Sequence, residues 1–121
     1  MRMMFRIAGT AVFCTLTAGC GSSLPPPNDE WAQAQTDVGR AEAGGAPGVP
    51  DAKLHLQLAA EDLQKSRDLM GQDNRRAASL IALARAEAQL ALSLAKAYQA
   101  TTVAEQAQQD LQKLKGTGAT P

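Results

Sequence analysis

From Asn74 to Lys115 the chain contains neither proline nor glycine, and this one uninterrupted segment limits what the sequence can fold into. Those residues are the strongest local breakers of regular structure, so the segment reads as a single continuous helix, ended by Gly116. At 1.5 Å per residue such a helix is roughly 60 Å long. Its middle, AASLIALARAEAQLALSLAKAYQA, is greasy enough to resemble a membrane span. Arg85, Gln89, Ser93 and Lys96 nevertheless make a continuous polar stripe, and Ala77, Ile81, Ala84, Ala88, Ala91, Ala95 and Tyr98 line the other side. Two opposed stripes at helical spacing describe an amphipathic helix on a protein core rather than one immersed in lipid.

Two shorter helical patterns precede it. Asn28-Asp29-Glu30 reads as an N-cap with acids in the first turn, where they complement the helix dipole. Trp31, Ala34, Val38 and Ala41 then form one apolar stripe, and Gly44-Gly45-Ala46-Pro47-Gly48 stops the helix. Trp31 is the expected packing anchor of this short element. Pro50-Asp51 opens a second helix expected to reach about Met70, with Ala52, Leu56, Ala59, Leu63, Ser66 and Met70 forming a heptad-like seam. Leu54, Leu58 and Leu69 fall beside that seam and widen it. Gly71-Gln72-Asp73-Asn74 is a tight connection in which Asp73 or Asn74 can cap the long helix.

Composition fixes how such helices can pack. Aromatic residues make up only 3% of the 121 residues, and alanine supplies most of the apolar positions, so close helix-to-helix approach replaces a thick core. The expected fold is all-α. It is an antiparallel helical hairpin, or three-helix bundle, over residues 28–115, with a long projecting C-terminal helix and a disordered tail over 116–121. If the second helix folds back on the third, about 20 residues of each pair, to near Ala95. Residues 96–115 then project some 30 Å beyond their neighbours, carrying a thin stripe of Val103, Ala107, Leu111 and Leu114. A lone helix of that length is marginal in water, so it frays, self-associates or meets a partner, and this stripe is the expected surface for a protein partner or for self-association.

The N-terminal residues have a different character. Arg2 and Arg6 precede an apolar run from Ile7 to Ala18, followed by Gly19 and Cys20. A basic start, a greasy middle and small residues form the layout of a secretory signal peptide, and the run is too short to cross a bilayer, which takes about 20 residues. Cleavage between Gly19 and Cys20 would remove residues 1–19. Lys+Arg would fall from 12 to 10 against 12 Asp+Glu, leaving the rest near −2. Cys14 would leave with the signal, so Cys20 would have no internal disulfide partner. Residues 21–27, GSSLPPP, read as a flexible-to-extended tether.

Leu16-Thr17-Ala18-Gly19-Cys20 resembles the lipobox of bacterial lipoproteins, with Thr17 where Leu, Val or Ile is usual. The resemblance implies a diacylated Cys20 as the new N-terminus and attachment to a membrane through that lipid. Two or more acyl chains anchor stably where one does not. Gly21, where the enteric lipoproteins would carry Asp for inner-membrane retention, implies the outer membrane. The helical part resembles a bacterial lipoprotein family, domain of unknown function 4398. Leu56-x-x-Ala59-x-x-x-Leu63-x-x-Ser66 is similar to one arm of its hairpin. Ala77-x-x-Leu80-x-x-x-Ala84-x-x-Glu87-Ala88-x-Leu90-Ala91 is similar to the other. That implies an envelope-located hairpin over about residues 32–114. Some members carry an OmpA-like peptidoglycan-binding domain, which these 121 residues do not include, so peptidoglycan binding is not carried over.

Chemistry-bearing residues are sparse. His55 is the sole histidine, and one imidazole without further Cys or His at ligand spacing makes no metal site. It reads first as a helix-surface or boundary residue. In an antiparallel hairpin it lies within about a turn of Glu87, and the two form a candidate structural polar pair. Glu87, one position from the apolar centre line, reads as a snorkelling or salt-bridged side chain, or as a device fixing the register of the two arms. Arg75-Arg76 reads as solvated charge, with phosphate or headgroup contact as the alternative. Glu61 and Lys65 form an i, i+4 pair. No Ser-His-acid set, phosphate loop or carboxylate cleft is legible, so no enzyme, no cofactor and no small-molecule substrate are expected. A zero formal charge without a basic cluster points away from nucleic acid. The expected role is structural or scaffolding work in the cell envelope; the alternative is a periplasmic, holdase-like module engaging client polypeptides.

Overall fold

A computed structural model describes residues 24–118, and these form three α-helices with no strand among the described residues. The order is α1 (Asn28–Ala43), a single 3-10 turn (Ala46–Gly48), α2 (Pro50–Leu69) and α3 (Asn74–Thr117). α2 and α3 form the antiparallel hairpin, and α1 lies along both. The chain is therefore all-α, with a long C-terminal helix packed against the two before it.

Each boundary has a local cause. α1 begins one residue earlier than a cap at Asn28 requires. Pro27 is its N-cap, no side chain caps it, and Trp31 N–H donates to the Pro27 carbonyl at 3.1 Å. Proline presets a φ near the helical value, so Asn28 is drawn into the first turn while Asp29 and Glu30 keep their places beside the dipole. Gly45, at φ 92°, turns the chain out of α1 where a side chain would be strained. Pro50 then sits at the first position of α2, where its missing N–H is not needed. Gly71, at φ 86°, reverses the chain between α2 and α3.

Asp73 caps α3, its carboxylate accepting from Arg76 N–H at 3.0 Å. Asn74, the other candidate, does a different job. Its side-chain oxygen accepts from Gly71 N–H at 2.7 Å, and its amide donates to the Leu24 carbonyl. The last residues of the tether therefore lie against the start of α3, and Pro27 is buried there. At the other end α3 runs through Gly116 rather than stopping at it. Thr117 Oγ1 donates to the carbonyls of Lys113 and Leu114, and Gly118 N–H donates to Leu114. These bonds satisfy last-turn carbonyls, offsetting a glycine penalty of about 1 kcal/mol. Residues 116 and 117 thus belong to the helix and not to a tail.

The core is a ladder of small residues. Ala34, Ala41, Ala46, Ala52, Ala59, Ala77, Ala84, Ala88, Ala91 and Ala95 are wholly buried, joined by Ile81, Leu56, Leu63 and Ser66. Methyl groups at the contact let helices approach closely. Ser66 is tolerated at such a point because its hydroxyl donates back to the Leu63 carbonyl at 2.7 Å. Two clusters divide the core. One, around Leu56, Ala91 and Ala95, lies beneath the 3-10 turn. The other, around Ile81, Leu63 and Ala84, is covered by Trp31 and Val38. Tyr98, placed on the buried face by its spacing, is exposed, because α1 and α2 have ended near its height. Leu54 and Leu58 are likewise exposed and do not widen the core.

Candidate functional site

α1 is fixed to one side of the hairpin by polar contacts to both arms. Trp31 Nε1–H donates to the Leu63 carbonyl at 3.3 Å, with the Arg67 guanidinium 4.4 Å over the indole ring. Asp37 receives Arg85 Nε–H at 3.1 Å across the α1–α3 contact and Arg40 from its own helix. Gln99 donates to the Gly44 carbonyl at 3.1 Å. The bundle therefore grips α3 about one turn beyond Ala95. Trp31 is half-buried against the core, as a packing anchor would be.

On the opposite side the hairpin carries its own polar pair. His55 Nδ1 and Glu87 Oε2 are 2.5 Å apart, both partly buried, bridging α2 and α3. An ionised carboxylate only accepts, so the imidazole must carry its proton on Nδ1. A pair at this height fixes the register of the arms, since a slip of one turn would separate the two groups by about 5 Å. We expect His55→Ala and Glu87→Ala to show a coupling free energy of about 1 kcal/mol in a double-mutant cycle of urea unfolding. A coupling near zero would leave the pair with no role in the register.

Two apolar surfaces have no cover among the described residues. One is the projecting end of α3, where Val103, Leu111 and Leu114 are 64%, 57% and 69% exposed and Ala107 is also exposed. Glu105, Gln108, Gln109, Asp110 and Lys113 surround them, and only a Lys113–Asp110 contact at 3.5 Å ties these charges together. The other surface was not legible as a unit in the sequence. Leu54 and Leu58 of α2 and Leu83 and Leu90 of α3 are 54%, 38%, 47% and 42% exposed. All four fall on the flank of the hairpin that carries His55 and Glu87, away from α1, with Leu69, Leu80 and Leu94 half-buried beside them. The available signal was leucine at 80, 83, 90 and 94, a second stripe next to the alanine ladder. It hides because alanine spacing alone already accounts for a core-facing helix. An 18-residue window of α3 has a mean hydropathy of 1.3, yet only 28% of it is buried in the bundle.

The remaining expected site residues fall as follows. Gly19 and Cys20 lie outside the described residues. Glu61 and Lys65 approach to 3.7 Å, with Asp62 also 3.5 Å from the same ammonium. Arg75 and Arg76 are exposed at the start of α3. No group of three or more His, Cys, Asp or Glu is placed to hold a metal among the described residues. An open cleft of about 440 Å³ between the Pro25–Pro27 segment and the start of α3 is shallow and formed by the tether itself.

The class these features define is an antiparallel α-hairpin braced by a third helix on one side, with an unaccompanied helical extension at one end. Beyond that class there is no match: no family model, no curated protein and no solved structure is similar to this chain.

Proposed function

We propose that the protein is a lipid-anchored component of the bacterial cell envelope, held by acylated Cys20 and acting as a structural or adaptor element. The observation that carries this reading is the sequence Arg2 to Cys20, a signal-like segment ending in a lipobox-like Leu16-Thr17-Ala18-Gly19-Cys20. The fold is compatible with it. A stiff hairpin follows a proline-rich segment, and α3 carries an uncovered apolar stripe past the bundle. In this reading the lipid sets the location, outer-membrane by the Gly21 criterion, and the stripe of Val103, Ala107, Leu111 and Leu114 meets an envelope protein.

Cys20→Ser tests the anchor. Cells fed an alkyne-tagged fatty acid are expected to label the parent chain and not the variant, and the variant is expected to leave the membrane fraction. Equal labelling, or unchanged fractionation, removes the lipoprotein reading. Crosslinkers at positions 103 and 111 separate the two roles for the stripe. An adaptor gives one dominant partner, whereas a client-holding module gives many weak ones.

A further inference from the structure

Among the described residues nothing covers the leucine flank of the hairpin. Leu54 to Leu69 on α2 and Leu80 to Tyr98 on α3 each run about 25 Å, and two adjacent helices are about 20 Å wide. That gives about 500 Å² in projection and more in accessible area, close to the roughly 600–1,000 Å² per side of a stable pair.

The distribution of the leucines selects the occupant. The His55–Glu87 contact sets a common height on the two antiparallel arms. Relative to it, Leu58 and Leu83 lie about 5 and 6 Å to one side along the bundle axis, and Leu54 and Leu90 about 2 and 5 Å to the other. A two-fold axis perpendicular to the helices near this height therefore sets Leu54 against Leu58 of the second copy and Leu83 against Leu90. Each ridge meets its own complement, as an isologous interface requires. The four arms would form a four-helix core, with each α1 on the outside.

Other occupants fit less well. The flank and its edge carry Asp51, Glu61, Asp62 and Glu87 against Lys65 and Arg76, and Lys65 is already engaged with Glu61 and Asp62. That excess of acid disfavours an anionic lipid surface. The His55–Glu87 pair bridges the valley in which an extended peptide would lie.

We infer that two copies of this chain pair through the Leu54/Leu58/Leu83/Leu90 face in an antiparallel, two-fold arrangement. The inference is independent of the lipid anchor and of the projecting stripe, and its test reads neither.

The full chain, purified in density-matched detergent, is expected to sediment at the mass of two copies. Leu58→Glu and Leu83→Glu each raise the dissociation constant about a hundredfold or more, with helix content by circular dichroism unchanged. Leu111→Glu, on the projecting stripe, leaves the pair intact. With Leu54 replaced by p-benzoylphenylalanine, irradiation joins two chains, with attachment near Leu58 of the second copy; this arm stands even if a charged variant misfolds. A single-chain mass at every concentration overturns the inference. So does a pair that Leu111→Glu dissociates and Leu58→Glu does not, or a photoproduct at Leu54 made only with lipid or other proteins.

Discussion

Ile81→Ala is expected to lower the free energy of unfolding by about 3–4 kcal/mol, a large share of the 5–10 kcal/mol that holds a domain of this size. Among the described residues Ile81 is the largest wholly buried hydrophobic side chain, at 1% exposure. Its neighbours explain why the loss falls near the upper part of the usual range. Ala34 and Ala84 have no rotamers with which to fill a hole, and Trp31 is held by its bond to the Leu63 carbonyl. The cavity therefore stays open, and residual cavity volume is what makes such substitutions costly. Urea unfolding followed by circular dichroism gives the number. A loss under about 1 kcal/mol would mean that this layer collapses freely, and that the alanine ladder does not hold the helices at a fixed spacing.

Ala88→Leu is the converse experiment, and its expected cost is about 2–3 kcal/mol. Ala88 is wholly buried on the α3 ladder, with no room for three further carbons unless the helices separate. Separation would weaken contacts along the whole line from Ala77 to Ala95 and would strain the nearby His55–Glu87 contact. At 4–8 °C per kcal/mol for a small domain, the melting temperature should fall by about 10 °C or more. Ala86→Leu, two residues away on the exposed side, supplies the control and should change it by only a degree or two. If both substitutions are tolerated equally, close approach is not what organises this core. The two losses have opposite origins, a void and an excess, and together they bracket how tightly the hairpin is packed.

Much of this architecture was written in local patterns. The absence of breakers from Asn74 to Lys115 dictated one long helix, and the Gly/Pro runs at 44–50 and the Gly71 turn dictated the element count. The seam Ala52, Leu56, Ala59, Leu63, Ser66 is the buried line of α2. The line Ala77 to Ala95 is that of α3, because a 3.6-residue period leaves little choice of face. Where local signals competed, they were less decisive. Proline outranked Asn28 as the start of α1, and side-chain bonds from Thr117 carried α3 through Gly116. Tyr98 followed the period but lay beyond the end of its neighbours, so spacing predicted a burial that had nothing to bury against.

The sequence by itself determined that this chain is a set of alanine-lined helices, with the longest outrunning the others. Periodicity and breakers are properties of the covalent chain and need no tertiary partner. Only the tertiary structure decided which flank of the hairpin α1 covers, and therefore which leucines are left outside. A helix 100° wide in its apolar stripe can accept a neighbour on either shoulder. The choice is made by long-range contacts such as Trp31 to Leu63 and Asp37 to Arg85, which join residues 32 and 48 positions apart. Those contacts put α1 on the side opposite His55 and Glu87, and so left Leu54 and Leu58, expected beside the core seam, as open surface together with Leu83 and Leu90.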